Sequence, residues 1–519
     1  MAETNGETAA AARLLKKDET SSAPLQNSNF CMYALLVSVS SVMMSTGIAV
    51  GALNALMTGV LQDFYNTTYS DRYGETMNKE TWDLNLALTV SMMLAGGFVG
   101  ALSIRFILAC LSRKQSMIVM NMTNIASVLL IVVGGRLIPS YEAMIVGRFI
   151  MGLASGFGMN LIPIVVAEIC SFSRQPFYLS LIGLNLSFGG VVGLVLGFAK
   201  VLGTKELWPY LLSVSALPSL IYLVSSPWLP ESPSYLLRNG KRESAFKTLK
   251  KLRASPKNEE IDRDLNAIDA FHKSAGAAQQ ISLSEIFRSK RYVRQLILVI
   301  VVFIQAQLCG INGVGMYTNM IFIEAGFQGD QATTASTIVY IVQLVVAFVG
   351  SAAIDRFGPK RLNIISSACM AASLFVLTVS WGTVTTVPWM SYVIVAAVSI
   401  YVLTWAGGEN VALFPMLGAF TNGLNRETFY LFGGGIFWIF SWLVSFITPY
   451  FIAWMNFYAF LPFAFLNVFF LGYVLIFIPE TRGKTTAEIE KFVQSGQTNF
   501  NLRNSKATTT TSEAETLPL

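Results

Sequence analysis

The sequence predicts an all-α membrane protein of twelve spanning helices, set out as two halves of six joined by a polar helical bridge. Three observations carry that expectation. The 519 residues are 53% hydrophobic and 13% charged, with 36 Phe, a balance that belongs to polytopic membrane proteins. Apolar runs of spanning length fall six before and six after a polar stretch at 231–294. The same signal also closes each half: Pro230-Glu231-Ser232-Pro233 and, 249 residues later, Pro479-Glu480-Thr481-Arg482. A repeated endpoint around a polar insert reads as two parallel repeats.

Taken in order, residues 1–29 form a polar tail with Lys16 and Lys17 and no apolar core, so no cleavable signal peptide is expected and the first span acts as the insertion signal. The first half, 30–229, holds apolar runs near 31–61, 84–105, 116–134, 142–166, 178–199 and 207–226. The bridge, 230–294, reads as soluble helix, with Phe246, Leu249 and Leu252 at helical spacing among lysines. The second half, 295–478, holds runs near 296–323, 332–354, 362–381, 388–416, 429–453 and 456–478. A tail, 479–519, carries the run Thr508 to Thr511 and is expected to be disordered.

Lysine and arginine set the expected orientation. The bridge from Arg238 to Arg294 contains fourteen of them, and Arg113-Lys114, Arg174, Arg356-Lys360-Arg361 and Arg426 fall in loops on the same side. Both termini are therefore expected in the cytosol. Asn66-Thr67-Thr68 then lies outside, where an N-glycosylation sequon can be used. The net charge of +6 is a topology signal of this kind, not a nucleic-acid footprint. The expected partners are the lipid bilayer and a small solute.

Other residue types narrow the function. His272 is the single histidine, which removes a Ser-His-Asp triad and a histidine metal site. The cysteines Cys31, Cys110, Cys170, Cys309 and Cys369 sit in or beside apolar segments without metal-ligand spacing. The chain is thus expected to be no enzyme and to carry neither metal nor cofactor. Gly96-Gly97-Phe98-Val99-Gly100 and Gly189 through Gly197 place small residues on one helix face, as close helix packing requires.

Several motifs together resemble the facilitative glucose transporters, in the sugar-porter branch of the major facilitator superfamily. They are Gly147-Arg148-Phe149 with Glu168 in the fourth span, the two Pro-Glu-Ser/Thr endpoints, Asp355-Arg356-Phe357-Gly358, Gln307-Leu308-Cys309-Gly310-Ile311-Asn312, and Asp63-Phe64-Tyr65-Asn66. The resemblance covers about residues 30–490. It implies two six-helix bundles around a cavity that opens alternately to each side, in a multi-pass protein of the plasma membrane. It also implies a cytosolic latch of Arg113, Arg148, Glu168, Glu231, Asp355, Arg356, Arg426 and Glu480.

The chain departs from the family pattern at its sugar-binding positions. The first of the paired glutamines in the seventh span is Ala306. Phe437 replaces the Asn before Trp438, and Ile341 stands where the eighth span has Asn, although Gln343 is near. Ser112 and Ser234 replace residues of the loop and bridge motifs. Of the family's sugar hydrogen-bonders, Gln307, Asn312 and Trp438 survive. An unmatched buried polar group costs about 1–3 kcal/mol, so these losses weaken or redirect hexose binding.

The function expected is facilitative uniport of a sugar, a hexose such as glucose. Gln305, Gln307, Asn312, Gln343, Glu409, Asn410 and Trp438 are the expected solute contacts, since polar residues inside spans default to a substrate path. Residues 31–61 contain no Asp or Glu, where proton-coupled relatives place an acid. The alternatives are a carrier of another polar or charged solute, proton-coupled through Glu409, or a non-transporting sugar sensor. Glu409 falls in Ala406-Gly407-Gly408-Glu409-Asn410, where the family has a glycine-proline run. It has three readings: a solute contact, a titrating group, or a partner of an inner-face arginine such as Arg148.

Overall fold

The computed structural model describes residues 27–57, 59–170, 175–254, 257–277, 283–420 and 426–480, with 488, 489, 492 and 493. The chain's first 26 residues, the Asn422-Gly423 loop, Arg174, Thr481 to Thr485 and the threonine run lie outside them.

Among the described residues every regular element is helical. The first span is α1 (Asn29–Leu56), continued by α2 (Val60–Tyr73). The second is α3 (Lys79–Cys110), and the third is α4 (Arg113–Val132) ending in a π turn. The fourth is α5 (Tyr141–Ile169) and the fifth α6 (Gln175–Leu196). The sixth is α7 (Trp208–Ser213) with α8 (Leu217–Ser225). The bridge contributes α9 (Pro233–Arg238), α10 (Arg242–Leu252), α11 (Asn258–Ala277) and α12 (Leu283–Arg288). The seventh span is α13 (Lys290–Leu308), α14 (Ile311–Met316) and α15 (Thr318–Glu324). Next come α16 (Gly329–Phe357) and α17 (Pro359–Thr383). The tenth span is α18 (Met390–Thr404), a π turn at Trp405–Glu409 and α19 (Asn410–Phe420). Finally come α20 (Arg426–Met455) and α21 (Leu461–Phe477). Among the described residues ten stretches are long and apolar enough to span a bilayer, and the shorter apolar helices Leu181–Leu196 and Leu461–Phe477 supply the fifth and twelfth.

Short polar side chains start the spans. Ser28 caps α1 through the Cys31 N–H, Asn78 caps α3 through that of Thr81, and Ser112 makes a full capping box with Gln115 on α4. The Pro-Glu-Ser-Pro signal has the same local cause. Ser232 is the N-cap of α9, taking the Tyr235 N–H at 3.1 Å, and Pro233 opens the helix where no N–H is needed.

The glycine runs let backbones touch. A side chain on Gly96, Gly100, Gly152 or Gly156 would strike backbone across α3 and α5, and one on Gly47, Gly51, Gly189 or Gly193 would strike it across α1 and α6. The two halves meet along α3 with α20 and α6 with α16. One boundary differs from expectation. The region after residue 61 was expected as outer loop, yet it is helical as α2, because Leu61, Tyr65 and Thr68 face inward as one buried stripe. Tyr65 shares a hydrogen bond with Thr89 at 2.6 Å and packs on Trp82 and Tyr141.

Candidate functional site

The seventh span is broken at Gly310, which takes φ +99°, a conformation open to glycine and strained for other residues. The break turns Asn312 back toward the preceding helix. Its Nδ2 donates to Gln307 Oε1 at 2.5 Å, and Ser441 Oγ of α20 donates to the same oxygen at 2.7 Å. One turn before Ser441, Trp438 lies at the seam and its ring packs on Gly97 of the first half. Gln307 is 2% exposed and Trp438 8%. Both donors of the Gln307 amide nitrogen and the Asn312 carbonyl remain unused among the described residues. Such a group can take a hydroxyl as both donor and acceptor. Gln343 and Asn410 are half-buried, on α16 and at the start of α19.

On the side away from the bridge the halves are tied together. Asn54 Nδ2 donates to the Gly315 carbonyl at 2.9 Å, and Tyr340 Oη donates to the same oxygen at 3.0 Å. The Asn319 backbone N–H donates to Asn54 Oδ1 at 3.2 Å, and its side chain to the Asn54 carbonyl at 3.3 Å. The first and seventh spans are therefore closed on one another there.

Gln305 is placed differently from Gln307. Its amide donates to Asn363 Oδ1 at 3.0 Å and Ser367 Oγ at 3.1 Å, both on α17. It serves the interior of the second half rather than the seam. Glu409 also lies in that interior, 1% exposed, with its backbone N–H on Ser366 Oγ at 3.2 Å.

The latch residues divide. Arg113 makes a forked pair with Glu168, the closest contact being 3.1 Å. Glu231 Oε1 accepts from the Lys114 and Ser232 backbone N–H groups, tying the loop after the second span to the bridge. Glu480 lies 3.8 Å from Arg361, and Arg356 is exposed. The side chains of Asp355 and Arg426 lie outside the described residues.

Arg148 does not belong with these. It stands twenty residues from Glu168 on one helix, about 30 Å at 1.5 Å per residue, near the end away from the bridge. There its Nε donates to the Thr89 carbonyl at 3.1 Å. The same placement removes it as a partner of Glu409, whose carboxyl has no ion pair among the described residues.

Sequence reasoning missed Ser441, Asn54, Tyr340 and Arg253. Arg253 is 7% exposed and clasps the bridge to the first half. It donates to the Ile169 carbonyl at 2.9 Å and lies 3.7 Å from Asp264. Spacing gave no signal for these four. Each acts across elements far apart in sequence.

The family model described as "Sugar (and other) transporter" matches residues 33–492. Rat solute carrier family 2, facilitated glucose transporter member 5 is 31% identical over 455 residues, covering 86% of this chain and 88% of its own. Mouse member 9 of the same carrier family is 28% identical, covering 84% and 80%. Among solved structures, the partially occluded inward-open xylose transporter XylE from E. coli superposes with a TM-score of 0.70 at 20% identity, covering 88% of this chain and 100% of its own. The proton:xylose symporter XylE bound to 6-bromo-6-deoxy-D-glucose gives 0.68 at 19%, covering 89% and 99%.

Proposed function

The chain belongs to the sugar (and other) transporter family, and from that premise we propose that it is a facilitative carrier of a hexose such as glucose, working by alternating access. The observation that carries the proposal is the Gln307–Asn312–Ser441 group beside Trp438. It sits at the seam between halves with unused donors and an acceptor. Gln343 and Asn410 complete the set of solute contacts. Uniport is supported by the absence of Asp and Glu from 31–61. The relatives' names place both facilitated glucose transport and proton:xylose symport in this fold.

In this reading the bridge and both termini are cytosolic, the protein resides in the plasma membrane, and Asn66 carries glycan. The pairs Arg113–Glu168 and Arg361–Glu480 belong to a cytosolic latch that rearranges as the halves rock. Such charges at the membrane edge need partners.

Purified protein in proteoliposomes tests the function. Radiolabelled D-glucose or D-fructose uptake is expected to saturate and to be competed by the unlabelled sugar but not by L-glucose. Linear, uncompeted uptake of both sugars overturns the hexose reading.

A further inference from the structure

The tenth span opens from α to π geometry at Trp405–Glu409, a distortion frequent at functional sites. Glycines let this turn sit deep in the second half. A side chain on Gly350 of α16 would strike the Gly407 backbone, one on Gly407 would meet Val346, and one on Gly408 would meet Ser366. Ser366 Oγ fills the opened turn, accepting the Glu409 N–H and donating to the Thr404 carbonyl at 2.8 Å. The backbone of Glu409 is thus held, and its carboxyl is not. Neither oxygen has a hydrogen-bond partner among the described residues. The Trp405 indole N–H, four residues earlier, is likewise buried and unpartnered.

Among the described residues no charged side chain pairs with the carboxyl. Cys309 and Tyr401 are the titratable groups in electrostatic reach, and they donate to the Ala306 and Cys309 carbonyls. From α16 come Val346 and Gly350, and from α17 Leu362 and Ser366. The charged residues of those helices, Asp330, Arg356, Lys360 and Arg361, stand at their ends, and the Asp355 side chain lies outside the described residues. Neither α18 nor α19 carries a charged residue.

A bare carboxylate deep in a span is costly unless water or a partner reaches it. Its charge is therefore linked to whether the site is closed. We propose that Glu409 is a proton-exchange site. It holds one proton while the π turn is packed as described, gives it to water on the bridge side when α19 moves off Ser366, and takes it back on closure. One carboxyl O–H bond breaks and reforms, with no redox partner. Because release and uptake use one side, flux responds to bridge-side pH while no proton is carried across with solute.

The test uses the full chain in lipid nanodiscs and infrared difference spectroscopy across pH. A carboxylic-acid carbonyl band is expected that disappears at alkaline pH, is absent in Glu409→Gln and is displaced in Glu409→Asp. Labelling with ¹³C-glutamate shifts it in the wild-type protein, which assigns it to a glutamate, and its displacement in Glu409→Asp places it at this position even where the Gln variant fails to fold. Absence of a label-sensitive acid band at every pH overturns the proposal. Its removal by replacing choline with Na⁺ at fixed pH overturns it in favour of a metal cation.

The second arm rests on the proposed transport of a hexose. D-glucose exchange in proteoliposomes is expected to vary severalfold with bridge-side pH in the wild type and to lose that variation in Glu409→Gln. Flux independent of pH in a protein that shows the band overturns the link to alternation. Proton movement driven by the solute gradient overturns same-side exchange. Absence of flux for any hexose counts against the sugar reading and leaves the spectroscopic result to decide the proton site.

Discussion

Gln305 and Gln307 lie two residues apart, which on an α-helix is about 200° of rotation. One therefore enters the second half while the other meets the seam, although the sequence presents them as a single polar stripe. The two substitutions are expected to separate. Gln307→Ala raises the half-saturation concentration for hexose about tenfold, the effect of losing one or two hydrogen bonds to a solute at about 1.5 kcal/mol. Gln305→Ala leaves Asn363 and Ser367 without their donor and lowers thermal stability by about 1–3 kcal/mol, with half-saturation unchanged. Equal kinetic effects from both would place the solute elsewhere. Asn66 sits half-buried on α2, and in glycosylating cells Asn66→Gln should increase gel mobility. Unchanged mobility would contradict an occupied sequon.

At the scale of elements, most of the helices were readable because a continuous apolar run of about twenty residues can satisfy its own backbone hydrogen bonds in lipid only as a helix. Composition and length were enough. The glycine stripes were readable for the same kind of reason, since small residues at helical spacing serve close packing, as Gly152 against Met93 and Gly193 against Ile48 demonstrate. Glycines before Glu409 announced a weak point in the tenth span, but a π turn filled by Ser366 depends on a neighbouring helix and could not be read from that segment. Arg253 was similarly hidden. Among fourteen basic residues of the bridge it alone is described as clasping the Ile169 carbonyl, and nothing local distinguishes it. Arg253→Met should leave that carbonyl only the weak Cys31 thiol donor and remove the partner of Asp264, lowering the unfolding temperature in detergent while the saturable flux of the surviving protein keeps its half-saturation. A stability equal to wild type would show that the bridge docks by other contacts.

For the whole molecule, the two matched halves predicted the twelve-helix arrangement, and the family match supports it. The sequence could not show which side of the seam is closed, because that is a property of a conformational state. Here the side away from the bridge is closed by Asn54, Asn319 and the Gly315 carbonyl. These contacts cross from the first span to the seventh, so they must part whenever the carrier opens on that side. If alternation through this seam is how solute moves, fastening the contact stops transport without disturbing the solute group below it. The decisive measurement is D-glucose or D-fructose exchange by the Asn54→Cys, Asn319→Cys double variant in proteoliposomes, before and after oxidation to the disulfide. The account predicts saturable exchange in the reduced protein, its loss on cross-linking and its return on reduction. Exchange that continues unchanged through complete cross-linking would contradict it.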